Sequence, residues 1–196
     1  MHTVTVTWKS IPRYGELWLQ SHQLRHAAFI GRLGYDVPSH DGIEWDQFDT
    51  PRAAYIIVED QGNCAAVCRL VPTTAPYMLR DVFPQLLPYA PPERPDVWEA
   101  SRIAVDANRP AAAREAALKA LIVGVQQFGL DHGIRHYLGL MPVPIFKRTL
   151  MRHGVDVRIL LDAAQAIDGI ATAAGEIMVS QATVDRLVPM PAAVAA

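Results

Sequence analysis

An arginine stands inside one of the most apolar runs of this chain, Cys64-Ala65-Ala66-Val67-Cys68-Arg69-Leu70-Val71. The run has the length and side-chain character of a buried strand, so a fold built on it carries the Arg69 charge into the interior. An ion taken out of water loses its hydration, and the loss is offset only by paired, hydrogen-bonded partners. Candidate partners fall in three clusters: Arg25-His26, then Glu44-Trp45-Asp46-Gln47-Phe48-Asp49, then Trp98-Glu99-Ala100-Ser101-Arg102. The simplest arrangement faces Arg69 and Arg102 toward Asp46, Asp49 and Glu99 around one cleft. That places the chemistry in the first half of the chain.

At 196 residues, half of them apolar, the chain fits one globular domain with a substantial core, expected over residues 1–190, with a flexible tail at 191–196. A net charge of -2 is not the footprint of a general nucleic-acid binder. Cys64 and Cys68 share one face of a strand but stand roughly 13 Å apart, too far for a disulfide, and read as inert buried thiols. The seven histidines form no metal-binding pattern: His132 and His136 are separated by Gly133, and no His-Glu-x-x-His occurs. No metal and no cofactor is expected. The first residues alternate as a strand rather than as a signal peptide, and no run is long enough to span a membrane, so a cytoplasmic protein with no membrane partner is expected.

Alternation marks a strand at Thr3–Trp8, and helical spacing runs from Pro12 through Phe29, with Gly31 or Gly34 as its stop. Residues 34–51 read as a long loop of the kind that carries function. A hairpin follows, Ala53–Glu59 and Cys64–Val71, joined at Asp60-Gln61-Gly62-Asn63. Six prolines break up 73–96 around one short helix, Met78–Leu87. Then come a strand at Val97–Val105, a helix at Ala111–Asp131 ended by Gly133, a strand at Arg135–Leu140, a helix at Pro144–His153, and strands at Val155–Leu161 and Glu176–Val179. Antiparallel strands first, then strands alternating with helices, predict an α/β sandwich on a mixed sheet.

Each cluster has a plain structural reading and a chemical one. The 44–49 segment is either a solvated loop with aromatic anchors or a site where Asp46 and Asp49 receive an amine or a sulfonium cation beside aromatic faces. In the second, Glu99 is either half of a structural ion pair or a general base, and Arg102 anchors a carboxylate through its two-pronged donors. Strict alternation puts Glu99 and Arg102 on opposite faces, so a bulge is required if both serve one site.

Taken together, the clusters resemble one family, the LuxI-type acyl-homoserine lactone synthases. Its Arg-x-x-x-Phe is matched by Arg25 and Phe29, its Gly-aromatic pair by Gly34-Tyr35, and its Glu-x-Asp-x-Tyr-Asp by Glu44, Asp46, Phe48 and Asp49. Its strand arginine falls on Arg69. Its Thr-Thr-Gly-Pro-Tyr-Met-Leu and Phe-Pro are similar to Thr73–Leu79 and Phe83-Pro84, and its Trp-Glu-x-Ser-Arg to Trp98–Arg102. The resemblance implies a three-layer α/β/α, acetyltransferase-like (GNAT) fold with a mixed sheet. It also implies two substrates, S-adenosylmethionine and an acyl thioester carried by coenzyme A or an acyl carrier protein. Carried over residue by residue, Glu99 is the candidate base with Asp46 and Asp49 as rivals. Arg25, Phe29, Tyr35, Asp46, Arg69 and Arg102 hold S-adenosylmethionine or brace its loop, and Phe83, Ile103, Leu140, Met141, Val143 and Phe146 line the acyl pocket.

Three departures from the family pattern carry information. Tyr35 replaces a tryptophan and Ile103 a phenylalanine. Leu140, Pro142 and Val143 fall where many relatives have a threonine or serine able to bond a 3-oxo group, so the expected acyl chain is short, branched or aryl and lacks that group. Lys147, Arg148 and Arg152 are candidate contacts for an acidic carrier. Two other readings remain at this stage. One is a general acyl-CoA N-acyltransferase, although Asp106-Ala107-Asn108-Arg109-Pro110 lacks the usual glycines of a pyrophosphate loop. The other is a sensor domain that binds without turnover.

Overall fold

The computed structural model describes residues 1–161, 165–167 and 169–188. The chain runs through β1 (His2–Thr7), α1 (Ile11–Arg25), the two-residue strands β2 (Ser39–His40) and β3 (Ile43–Glu44), β4 (Ala54–Asp60) and β5 (Asn63–Pro72). It continues through α2 (Met78–Asp81), β6 (Val97–Val105), α3 (Ala111–Asp131), β7 (His136–Pro142), α4 (Val143–Ile145), β8 (Val157–Ile159), β9 (Gln165–Ile167), β10 (Ile170–Met178) and α5 (Gln181–Leu187). Eight strands form one sheet in the order β1-β4-β5-β6-β7-β10-β8, with β9 beside β10. Its pairings are antiparallel except β6 with β7. This is the mixed-sheet, three-layer α/β architecture expected from the sequence.

Alternation builds the layers. On β4, Tyr55 and Ile57 point to the face covered by α1, where they meet Val67, Val71 and Leu24. Ile56 and Val58 point to the opposite face, covered by α3 through Leu118, Leu121 and Ile122. The β4–β5 turn places Gln61 and Gly62 at φ of 53° and 82°. Two positive-φ residues match the right-handed twist of the flanking strands, which is why Gln-Gly closes this hairpin.

Several expectations shift in detail. The first helix leaves α geometry after Arg25 and continues as a wider π-type turn over His26–Arg32, and Gly34 (φ 69°) then ends it. The expected loop 34–51 holds the β2–β3 hairpin, turned by Asp41 and Gly42 at positive φ. The expected helix Met78–Leu87 is split into α2 and a short turn at Pro84–Leu86, because Pro84 has no N–H to continue α2. The expected helix Pro144–His153 is α4 followed by a π-type turn (Phe146–Leu150) and a 3₁₀ turn (Met151–His153). β10 begins at Ile170, six residues before the expected Glu176, and β9 and α5 were not anticipated. The tail expected at 191–196 lies outside the described residues. No helix among those described is long and apolar enough to cross a membrane.

Two irregularities in the central strands set up everything that follows. Between β5 and β6 the register shifts: Val67 faces Ala104 but Arg69 faces Ser101, so Cys68 lies opposite both Arg102 and Ile103. This is a β-bulge, and Arg102 takes it up at a φ of 54°. Next to it, β6 and β7 pair only at Val97↔His136, Trp98↔Tyr137 and Glu99↔Leu138. Beyond that pair, from Ala100 and Gly139 onward, the two strands part.

The close seating of α3 on the sheet is testable at Gly124. A Cβ added there would lie 2.8 Å from both Ile56 Cγ2 and Thr3 Cγ2. Gly124→Ala gains about 1 kcal/mol of helix propensity but overpacks two stiff β-branched side chains at about 1–3 kcal/mol. A net loss of about 1 kcal/mol is expected in urea titration, and a stabilised variant would contradict this packing.

Candidate active site

The charges the sequence brings into the interior meet on the α1 face of β5 and β6. Arg25, at the end of α1, donates from Nε to Glu44 Oε2 (2.5 Å) and from Nη1 and Nη2 to the two oxygens of Asp49 (2.8 Å each). Arg69 donates from Nη1 and Nη2 to the two oxygens of Asp46 (2.5 and 3.1 Å) and from Nε to Ser101 Oγ (3.2 Å). Its Nη1 also lies 3.1 Å from Asp49 Oδ1. Arg102 completes the set, donating from Nε to Glu44 Oε1 (2.9 Å) and from Nη2 to Asp46 Oδ2 (2.7 Å). Three guanidinium groups thus alternate with three carboxylates, and each carboxylate bridges two arginines. Arg25, Arg69 and Glu44 are fully enclosed, whereas the Arg102 side chain keeps 11% of its surface.

The predicted cleft is therefore present, with three changes of membership, the first being that Arg25 joins Arg69 and Arg102. Glu44, part of the family-like pattern but with no role expected of it, is a full partner. Glu99 does not join the ion pairs. The cations that Asp46 and Asp49 receive are the protein's own guanidinium groups rather than a ligand's amine. Asp46 also accepts the Phe48 N–H (2.8 Å), and Asp49 accepts the Asp46 N–H (2.9 Å) and the Tyr55 hydroxyl (2.8 Å). Every acceptor position of both carboxylates is taken, which suits bracing and leaves nothing for an incoming proton. Burial pushes the Asp49 carboxyl up, but the hydrogen bonds from Arg25 and the charges of Arg69 and Arg25 win and hold it far below the usual carboxylate range.

Glu99 stands in a different environment. It is completely buried, and its carboxylate accepts the backbone N–H groups of Leu79 (2.8 Å) and Met78 (3.3 Å) at the start of α2. Burial raises its pKa, against the opposing pull of those N–H bonds and of Arg69. A carboxylate held above its ordinary range is the better proton acceptor near neutral pH. The bulge resolves the conflict in the alternation: Glu99, Ser101 and Arg102 serve one face, while Ala100 and Ile103 turn to the other.

At the exposed lip of the network, the Arg102 guanidinium lies 5.5 Å from the centre of the Phe29 ring and donates toward Met78 Sδ (3.7 Å). Phe29 stacks with Tyr35, ring centres 6.0 Å apart. The π-type turn carries Phe29 to this position, and Tyr35 N–H closes the segment onto the Phe29 carbonyl (2.9 Å).

The residues expected to form an acyl pocket do not come together. Ile103 lines an apolar cavity of about 30 Å³ on the α3 face, with Cys68, Leu118, Leu121, Val125 and Tyr137 among its other walls. Met141 and Phe146 pack into the core on that side without lining the cavity, and Val143 is half-buried at the start of α4. Phe83 and Leu140 pack into the core of the opposite face. The strand alternation of β7 decides this: Tyr137 and Met141 face α3, whereas Leu138 and Leu140 face α1. The α3 residues among its walls read in the sequence only as a generic buried helix face. Of the candidate carrier contacts, Lys147 and Arg148 are exposed, and Arg152 is paired with Glu115.

The profile of the autoinducer synthase family matches residues 13–187. The acyl-homoserine-lactone synthase of Aeromonas salmonicida is 35% identical over 164 residues, covering 82% of this chain and 78% of that protein. The synthase of Ralstonia solanacearum is 38% identical over 138 residues, 65% of this chain and 68% of that one. Among solved structures, the CoA-dependent acyl-homoserine lactone synthase BjaI with SAM and isopentyl-CoA superposes with a TM-score of 0.86 at 27% identity, covering 95% of this chain and 87% of that one. TofI, in a ternary complex with an inhibitor and MTA, gives 0.79 at 28% identity, covering 95% and 96%. A putative N-acetyltransferase from Lactobacillus plantarum shares the fold at 12% identity and a TM-score of 0.57, covering 92% and 100%. The chain belongs to the autoinducer synthase family. It is an acyltransferase with the activity of an acyl-homoserine-lactone synthase, so the sensor and general N-acyltransferase readings are set aside.

One residue beside the network went unnoticed in the sequence. His22 is fully buried, its Nδ1–H donates to the Glu44 carbonyl (2.8 Å), and its ring stacks on Trp45 with Trp18 edge-on. Burial first, then the Arg25 charge, lowers its pKa from 6.5 to about 4, against the opposing charges of Asp49 and Glu44. Between those values the unfolded chain binds a proton that the native protein does not, so stability is intact above pH 6.5 and falls as the pH drops toward 4. The loss attributable to His22 is about 3 kcal/mol. Denaturant titrations at pH 7 and 4.5 should show a smaller drop for His22→Gln than for the natural protein, and equal drops would remove His22 as the cause.

Proposed function

We propose that this enzyme transfers a short, branched or aryl acyl group without a 3-oxo substituent from acyl-CoA to the amine of S-adenosylmethionine. The observation that carries the proposal is the β6 bulge. It puts a polar, arginine-lipped cleft on one side of a strand and a small apolar cavity on the other, so an amine nucleophile and an acyl tail meet where β6 and β7 part. The CoA-dependent relative with isopentyl-CoA supports the carrier, and a cavity of about 30 Å³ supports a short tail. Residues 1–190 act as one catalytic unit in the cytoplasm, with no nucleic acid and no membrane among its partners and no cofactor, S-adenosylmethionine being a substrate. An acyl carrier protein, docked on Lys147, Arg148 and Arg152, is the alternative donor.

In this reading Arg102, Phe29 and Tyr35 contact S-adenosylmethionine, and Arg25, Arg69, Asp46 and Asp49 hold the contacting groups in place. Glu99, directly or through a water, takes the proton that the amine gives up as its nitrogen attacks the thioester carbonyl. Asp46 and Asp49 are poor rivals because their lone pairs are committed. Backbone N–H groups of β6 around Ile103, beyond the last pairing with β7, face the developing oxyanion. The carbonyl re-forms as the C–S bond breaks, and the departing thiolate of CoA takes up the proton that Glu99 received. The substrate carboxylate oxygen then attacks its own γ-carbon, the bond to the sulfonium sulfur breaks, and methylthioadenosine leaves beside the new lactone. The second step is intramolecular with a good leaving group, so holding the chain in a folded-back geometry is the main requirement.

The test is purified enzyme with S-adenosylmethionine and a panel of acyl-CoA and acyl-carrier donors, lactones read by mass spectrometry. Glu99→Gln is expected to lower kcat by about 100-fold or more while calorimetry shows S-adenosylmethionine binding little changed. A variant keeping a third of natural activity would remove Glu99 as the base.

The cavity also predicts tail chemistry. Its polar wall groups are engaged elsewhere: the Tyr137 hydroxyl donates to the Val125 carbonyl, the Gln126 amide is tied to the backbone at Met178 and Ser180, and the Cys68 thiol faces the Arg69 and Ser101 carbonyls. A 3-oxo group buried there would have to compete with those bonds for a donor. Unsubstituted donors should therefore react at least tenfold faster than their 3-oxo counterparts, and a tenfold preference the other way would overturn the assignment.

A further inference from the structure

The acyl cavity has soft walls and a tied floor. Leu118, Leu121, Ile122, Leu150, Val155 and Ile177 are aliphatic wall residues held by packing alone. Near the other end stand Gln126 and Tyr137, both almost completely buried. The Tyr137 hydroxyl donates to the Val125 carbonyl (2.8 Å) across the gap between β7 and α3. The Gln126 amide donates to the Met178 carbonyl (3.1 Å) at the end of β10 and accepts the Ser180 N–H (2.8 Å) just before α5.

The topology shows which end is which. α3 starts six residues after β6 ends and finishes just before β7 begins, so it runs back along β6. Leu118 therefore lies near the bulge, and Val125–Gln126 lie roughly 10–12 Å further down the helix. Tyr137 sits at that lower level, paired with Trp98 where β6 and β7 are still joined. An acyl chain entering at the split between the strands would meet Ile103 and Leu118 first and the Gln126–Tyr137 pair last.

We propose that Gln126 and Tyr137, cross-tied to α3, β10 and the start of α5, form the floor that sets the longest acyl chain this enzyme accepts. The inference rests on the reading that this cavity receives the acyl tail. Aliphatic wall residues yield to a longer chain by changing rotamer. The floor yields only by breaking hydrogen bonds and leaving buried polar groups unpaired, so the length limit is sharp rather than graded. Gln126 is otherwise out of place among Leu118, Leu121, Ile122 and Phe128 on the buried face of α3.

The experiment compares kcat/KM across straight-chain acyl-CoA donors of increasing length for the natural enzyme, Gln126→Ala and Tyr137→Phe. The natural enzyme is expected to lose at least tenfold over the two carbons at its limit. Gln126→Ala should recover at least tenfold on the first excluded donor relative to the longest accepted one, with KM for S-adenosylmethionine unchanged within threefold. Tyr137→Phe keeps the volume and removes one tie, and should recover about threefold; it decides the question if Gln126→Ala does not fold. A residue that only ties helix to strand would lower all donors alike, so profiles parallel to the natural one in both variants would overturn the proposal. If the natural enzyme makes no lactone from any donor, the acyl-site reading itself fails, and that outcome is distinct from an unchanged length limit.

Discussion

The network of Arg25, Arg69 and Arg102 with Glu44, Asp46 and Asp49 is the constraint on which the rest of this structure depends. Its members come from α1, β3, the segment after it, β5 and β6, elements spread over nearly eighty residues of chain. Six charges out of water are a weak source of net stability, because desolvation offsets most of their attraction. Their effect is to leave the 44–49 segment one low-energy arrangement. Any shift of that segment breaks a bidentate pair and strands a buried charge, so a segment with only Glu44 in a strand behaves as a fixed wall of the cleft.

The bulge at Arg102 converts that wall into a site. Without it, strand alternation would send the Arg102 side chain into the apolar layer under α3, and Glu44 and Asp46 would each lose a partner. With it, one extra residue on β6 turns Arg102 toward the carboxylates and still returns Ile103 to the apolar side. The positive φ is strain for a residue with a Cβ. The two guanidinium–carboxylate pairs Arg102 makes are what hold it there. The same irregularity accompanies the parting of β6 from β7, so one local feature orients the cation at the lip and opens the edge of the strand on which an acyl carbonyl would lie.

Much of this was legible in the residues. Arg69 inside an apolar run demanded buried carboxylates, and Asp46 and Asp49 supplied them. The Gly62 turn, the α3 helix and its Gly133 stop also followed from local chemistry. What stayed hidden depended on register. Glu99 and Arg102 appear on opposite faces under strict alternation, and nothing in Trp-Glu-Ala-Ser-Arg-Ile announces the extra residue. The cavity proposed for the acyl tail lies on the side of β7 away from Leu140, and α3 lends it Leu118, Leu121, Ile122, Val125 and Gln126, a set that looks like any buried helix face. β10 is longer than its sequence suggests because Ala171-Thr172-Ala173-Ala174-Gly175 has weak strand propensity and forms a strand through its pairing with β7 and β8.

The contrast among the four buried carboxylates then divides structure from chemistry. Glu44, Asp46 and Asp49 accept charged donors, which tie their oxygens to the guanidinium groups. Glu99 accepts two neutral N–H groups, enough to fix its orientation while burial works against its charge. Burial favours a proton on Glu99, whereas the charges of Arg25 and Arg69 resist one on Asp49. In the proposed aminolysis the two environments divide the work: the carboxylates bonded to guanidinium groups hold the Arg102 lip rigid, and Glu99, bonded only to backbone N–H groups, is the one placed to take up a proton.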